Sequence, residues 1–210
     1  MHGLLLCNGE IKSYKFLDKY LETAPYIICA DGGANHAYNL RLIPDMIVGD
    51  LDSIKDHVLD FYREKNVTIK EFPTNKDVTD TELAMDIFIN EIGATSITIA
   101  GAIGSRLDHT LANIAVLKRY PTIFTMVDDR NEIVVVDKSV EITKTSKNMK
   151  VSLLPATETV KGVCTKGLLY PLYNAILRYD NSLGISNEIT EDKCSINIED
   201  GLLYVITSMD

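Results

Sequence analysis

Through the first 130 residues, short apolar runs alternate with stretches of helical spacing. "GLLLC" precedes a helical pattern in "YKFLDKYLETA", "YIICA" precedes "NHAYNL", and "MIVGD" precedes "SIKDHVLDFYREKN". The alternation continues with "VTIKEF", a helix from "DTELAMDIFINEIG", the run "SITIAGA", a helix through "HTLANIAVLKRY", and "TIFTMV". Strands that take turns with helices require crossover connections, which predicts a mostly parallel sheet covered on both faces.

After "MVDDRN" the texture changes to period-two segments separated by turn residues: "EIVVVD", "VEITKT", "KVSLLPA", "VKGVCTKGLLYPL", "KCSINI" and "GLLYVIT". In "CSINI", Cys194, Ile196 and Ile198 fall on one face, and "EDG" at 199–201 reads as a hairpin turn before the strand that follows. The pattern predicts two domains. Residues 1–130 form a Rossmann-like α/β/α domain, and residues 131–210 form a smaller antiparallel β domain.

A chain of 210 residues that is 46% hydrophobic buries an ordinary core. Its formal charge of −9, with no basic stripe, argues against nucleic acid or an anionic membrane as partner. The start "MHGLLLCNGE" has too short an apolar run for a secretory signal, and no stretch approaches the length that spans a bilayer. Cys7, Cys29, Cys164 and Cys194 lie mostly within apolar runs and show no CxxC or Cys/His ligand spacing, which predicts reduced thiols buried in a cytoplasmic protein.

The candidate chemistry lies where polar motifs follow the strands. "NG" (Asn8, Gly9) follows the first run, "ADGGAN" (Asp31, Gly32, Gly33) the second, and "GDLDS" (Asp50, Asp52) the third. "PTNKDVTD" (Asp77, Asp80) follows the fourth and "GAIGSRLDH" (Gly101, Gly104, Arg106, Asp108, His109) the fifth. Parallel strands place their carboxyl ends along one edge, where open α/β sheets bind ligands, so these acids are expected to converge. On an extended strand Asp50 and Asp52 would share a face and repel by roughly 4 kcal/mol at about 4 Å and an effective dielectric near 20.

A hard divalent cation resolves that repulsion. Magnesium takes oxygen ligands and needs only one or two carboxylates besides substrate phosphates. Asp50 and Asp52 are the preferred ligands, with Asp80 the third. Arg106 at a helix entrance would add a phosphate-binding fork. Structural roles compete: Asp52 or Ser53 could cap the next helix, Thr79 with Glu82 has capping-box spacing, and Asp108 could be an N-cap. The chain has neither a G-x-x-x-x-G-K-[ST] loop nor a G-x-G-x-x-G fingerprint.

In order and spacing, "ADGGANHAYN", "PDMIVGDLDSI", "FPTNKDVTDTELAM" and "GAIGSRLDHTLANI" resemble the thiamine pyrophosphokinase family. The segments "GLLYPLYNAIL" and "LGISNEI" resemble its thiamine-binding domain. The resemblance implies magnesium-dependent transfer of a diphosphoryl group from ATP to thiamine. It also implies a homodimer in which the β domain of one subunit helps close the site of the other, and a C-terminal β-sandwich. It places Asp31 among the positioning groups and Asp50, Asp52 and Asp80 on magnesium. Gly101, Gly104, Arg106, Asp108 and His109 fall in its nucleotide-binding loop, and Tyr170, Ser186 and Asn187 on the thiamine side. Two other readings of the same residues are a metal-dependent phosphohydrolase and a non-catalytic nucleotide or thiamine sensor.

Overall fold

The computed structural model describes residues 1–23, 26–104 and 106–209. The chain forms two compact units. Met1–Val116 and Met126–Asp129 make the first; Leu117–Thr125 and Arg130–Asp210 make the second.

The core of the first unit is a parallel sheet of β1 (His2–Leu6), β2 (Tyr26–Ala30), β3 (Met46–Gly49), β4 (Thr68–Glu71) and β5 (Ser96–Ala100), ordered β5-β1-β2-β3-β4. A short helix α1 (Asp18–Leu21) and the helices α2 (Gly33–Asn39), α3 (Asp56–Glu64), α4 (Asp80–Ile87) and α5 (Leu107–Val116) occupy the connections. β6 (Phe124–Val127) follows α5. Alternation along β1 serves both faces. Leu4 and Leu6 pack with Leu17, Ala34, Ala37, Val58 and Tyr62, whereas Gly3 lies against the ring of Phe88 beyond the end of α4. The expected sheet, sandwiched between helices, is present.

Helix boundaries depart from the periodicity where local bonds compete. The pattern in "YKFLDKYLETA" folds as a single 3-10 turn, Lys15–Leu17, followed by α1, and its final residue, Ala24, lies outside the described residues. Neither Asp52 nor Ser53 caps α3, whose N-cap position is Lys55 in an extended conformation. Their groups are engaged elsewhere: Ser53 Oγ donates to Asp52 Oδ1 at 2.9 Å, and the Ser53 carbonyl accepts from Asn35. Asp108 sits in the first turn of α5 and not ahead of it. Thr79 does cap α4, accepting the Glu82 N–H at 3.2 Å.

The second unit holds two antiparallel sheets. One contains β7 (Asn131–Val136), β9 (Met149–Pro155), β12 (Asn187–Glu188) and β14 (Leu203–Met209) in the order β12-β9-β14-β7. The other contains β8 (Ser139–Thr143), β10 (Thr159–Lys166), β11 (Ala175–Arg178) and β13 (Lys193–Asn197) in the order β11-β10-β13-β8. Val151, Leu153 and Val205 of the first sheet share one core with Val160, Val163, Leu177 and Ile196 of the second, as in a sandwich.

Three expectations change here. "EDG" is no hairpin turn, because β13 pairs with β10 and β8 while β14 pairs with β7 and β9; the chain crosses between sheets there. "VKGVCTKGLLYPL" is not one strand. β10 stops at Lys166, where Gly167 takes a positive φ of 74°. β11 forms in "NAILR", which shows no clear alternation. The cysteines are free, but only three are buried as expected; Cys164 is exposed because it falls on the outward face of β10. Among the described residues no helix is long and apolar enough to cross a membrane.

Candidate active site

Each loop at the carboxyl edge of the parallel sheet is held by backbone or side-chain bonds to its neighbour. The Cys7 N–H donates to the Ala100 carbonyl at 2.8 Å and the Gly9 N–H to the Gly101 carbonyl at 2.7 Å, which ties the loops after β1 and β5. Those strands are adjacent although far apart in sequence, so their loops open at a topological switch point. Behind Gly9, half-buried His36 of α2 bridges the Gly9 carbonyl and the Tyr14 hydroxyl, each at 2.8 Å. Burial holds the His36 imidazole below its usual pKa, so it is neutral and one ring nitrogen can accept.

The loop after β3 turns sharply. Gly49 has φ 147° and Leu51 has φ 66°, so Asp50 and Asp52 lie beyond the strand and converge through a turn, not through strand alternation. A side chain at position 49 would meet Asp31 Cβ at 3.0 Å and Asp80 Cγ at 3.1 Å. Asn35 of α2 clamps this loop, donating to the Ser53 carbonyl at 3.0 Å and accepting the Lys55 N–H at 3.1 Å. The loop of "GAIG" is fixed from α5: Gly104 N–H donates to Thr110 Oγ1 at 3.2 Å, and buried Asn113 donates to the Ala102 carbonyl at 2.9 Å.

These loops enclose a cleft of about 530 Å³. Asn8, Gly9, Asp31, Asp50, Asp52, Asp80, Gly101, Gly104, Arg106 and His109 line it; Gly32, Gly33, Asp77 and Asp108 do not. Carboxylate oxygens of Asp31, Asp50 and Asp52 lie within 4.8 Å of one another. Three hard oxygen donors at that spacing suit a divalent cation. Asp31, only 8% exposed, stands in this trio where Asp80 was expected.

Asp80 adjoins the trio. Its Oδ1 is sealed from solvent with no aligned hydrogen-bond donor among the described residues, and the Lys76 ammonium stands 3.1 Å away. Burial pushes its carboxyl up, Lys76 opposes that, and Asp50 and Asp31 add to it. A half-buried acid compensated by a single lysine beside three other carboxylates fits the edge of a cation site. Arg106 is engaged with Asp108 through two bonds, at 2.6 and 3.3 Å, and that pairing draws the exposed Asp108 carboxyl down to about 2.

The sequence reading missed Lys76, Thr110 and Asn113. Lys76 precedes Asp80 by four residues, an ion-pair spacing that was readable in "KDVTD". Thr110 and Asn113 are polar residues three apart on α5, a spacing that puts both on one face of the helix.

Tyr170, Ser186 and Asn187 belong to the second unit. Buried Asn187 holds both polar groups of the Tyr170 backbone, accepting its N–H at 3.1 Å and donating to its carbonyl at 2.8 Å. Ser186, with φ 56°, donates its N–H to Ser152 Oγ at 3.0 Å. The Tyr170 side chain is 67% exposed.

Comparison with known proteins agrees along nearly the whole chain. Residues 17–135 match the family model "Thiamin pyrophosphokinase, catalytic domain", and residues 136–203 match "Thiamin pyrophosphokinase, vitamin B1 binding domain". Thiamine pyrophosphokinase 1 of Arabidopsis thaliana is 29% identical over 98% of this chain and 86% of its own. The thiamine pyrophosphokinase of Bacillus subtilis is 28% identical over 98% of both chains. A crystal structure of the Bacillus subtilis protein superposes with a TM-score of 0.90 at 26% identity over the full length of both. With both family models matched in sequence order and all the acids of the Asp31, Asp50, Asp52 and Asp80 cluster inside the region of the first, the chain belongs to the thiamine pyrophosphokinase family.

Proposed function

We propose that the acidic cleft is the reaction centre of an enzyme that transfers a diphosphoryl group from ATP to the hydroxyethyl alcohol of thiamine, releasing AMP. The gathering of Asp31, Asp50 and Asp52 within 4.8 Å carries this reading. In it, Asp50 and Asp52 hold magnesium, Asp31 is the third carboxylate, and Asp80 stands beside them. When bound, the ion would offset phosphate charge and polarise the transferred group.

The chain's own residues supply the positioning on which this class of transfer depends. The Asn8–Gly9 and Gly101–Gly104 loops, fixed by His36, Thr110 and Asn113, form a wall for the nucleotide. Arg106 and His109 reach the same cleft. The alcohol oxygen bonds to the β-phosphorus as the bond to the AMP oxygen breaks, and Asp80 accepts the alcohol's proton. Burial pushes the Asp80 carboxyl above its ordinary value, which makes it a better proton acceptor than a free carboxylate. Asp77 and Asp108 serve the nucleotide indirectly, Asp108 by pairing with Arg106 until a phosphate replaces it. Gly32 and Gly33 act through the backbone that carries Asp31.

On the thiamine side we place Tyr170, with Asn187 and Ser186 setting its backbone. An aromatic ring left 67% exposed suits closure against a ligand by a second subunit, so the functional form in this reading is a cytoplasmic homodimer.

The test is AMP release from ATP with thiamine and magnesium each present or withheld. Release that needs both supports the reading; release that proceeds equally without thiamine makes water the acceptor and overturns it. Arg106→Ala is expected to raise the KM for ATP by about tenfold while the KM for thiamine changes by less than about twofold, since one charge-assisted phosphate contact is lost. Equal weakening of both substrates would remove Arg106 from the nucleotide.

A further inference from the structure

Two basic side chains, Arg106 and Lys76, line the cleft, and they are held in different ways. Arg106 is exposed and paired with Asp108. The side chain of Lys76 is only 14% exposed; its ammonium donates to the Pro73 carbonyl at 3.1 Å and stands 3.1 Å from Asp80 Oδ1. That oxygen has no aligned donor among the described residues, and Asp80 shares the space against Gly49 with Asp31. Lys76 therefore neutralises an acid that packing has forced against another acid. Removing a carboxylate from water beside like charges is costly unless a cation compensates it.

A lysine is suited to changing partners. Its ammonium is a compact charge on a flexible stem with three rotatable donors, whereas an arginine fork fixes one geometry. The residue sits in the loop between β4 and α4, with Thr74 of the same loop also on the cleft wall. A divalent cation on the acidic trio would take over the compensation of Asp80, and the triphosphate that comes with it would offer the ammonium a stronger partner.

Building on the function proposed above, we propose that Lys76 is an exchangeable counterion. It pairs with Asp80 while the cleft lacks nucleotide, and it re-pairs with a phosphate oxygen of the bound triphosphate, which leaves the Asp80 carboxylate free. Its loss then has two effects of opposite sign. Divalent-ion binding to the nucleotide-free protein tightens, because Asp80 is no longer compensated, and nucleotide binding weakens.

The experiment measures Mn²⁺ binding to the nucleotide-free protein by titration calorimetry, and the KM for ATP and for thiamine separately, in the native protein, Lys76→Met, Lys76→Arg and Lys76→Met/Asp80→Asn. The expected result is Mn²⁺ binding at least about threefold tighter in Lys76→Met, a gain of about 0.7 kcal/mol. That gain should vanish in the double variant, and the KM for ATP should rise about tenfold with that for thiamine within about twofold. Lys76→Arg should recover most of the ATP affinity. Unchanged or weaker Mn²⁺ binding in Lys76→Met overturns the proposal, as does a KM for ATP that stays within about twofold of native. A purely structural lysine would not tighten the metal ion. Should the native protein form no thiamine diphosphate, the functional reading falls, while the Mn²⁺ arm still decides whether Lys76 compensates Asp80.

Discussion

Asp50→Asn keeps its fold, melts no lower than the native protein, and turns over at least about a hundredfold more slowly. The size follows from charge. A unit charge about 4 Å from a cation at an effective dielectric near 20 is worth roughly 4 kcal/mol, and each 1.36 kcal/mol is about tenfold in rate. Solvent screening at this half-exposed position trims the ceiling of about a thousandfold, and a hundredfold is the conservative figure. The thermal result separates this from damage to the fold. Without a bound cation, Asp31, Asp50 and Asp52 repel one another within 4.8 Å, so deleting one charge relieves strain in the free protein. Steady-state turnover and a melting curve on the same preparation check both halves. Near-native turnover at limiting magnesium would remove Asp50 from the metal.

The second large effect is on stability. Gly33 is buried as the first residue of α2, and a Cβ there would lie 2.0 Å from the Leu6 carbonyl oxygen and 2.6 Å from its carbon. Those atoms belong to β1, which is bonded on both sides, to β2 and to β5, so the strand has no room to retreat. Gly33→Ala is therefore expected to cost about 3 kcal/mol, at the upper end for overpacking. In a chain of this size that lowers the melting temperature by roughly 6–12 °C. Activity should fall further than folded fraction, because α2 also carries His36 and Asn35, which hold the Gly9 and Ser53 carbonyls. A melting temperature within about 2 °C of native would show that α2 can shift away from β1.

The gathering of distant acids at one sheet edge was readable because it depends on topology alone. Strand and helix alternate, polar motifs follow the strands, and parallel strands end together. The detailed geometry was not readable, because it depends on dihedral angles and contacts between loops. Asp50 and Asp52 meet through the left-handed Leu51 and not through the pleat, which spacing does not reveal. Asp31 takes a place beside them since Gly49 admits its Cβ closely, a tertiary fact. In the second unit, strand texture was legible and pairing was not. "KCSINI" and "GLLYVIT" alternate equally well whether joined as a hairpin or sent to different sheets, and only packing of the shared core decides. β11 was missed because Ile176 is exposed while Leu177 is buried in a four-residue strand, too short to show a period.

The pairing of β14 has a kinetic consequence. Leu203 lies opposite both Val136 and Pro155, so the strand inserts between partners translated long before it. Entropy must be surrendered to close those long loops before any pairing repays it, which makes this unit a slow folder on the millisecond-to-second scale. Until β14 arrives, β7 and β9 expose unpaired amide edges. During rapid synthesis, that interval is when neighbouring nascent copies would be prone to aggregate.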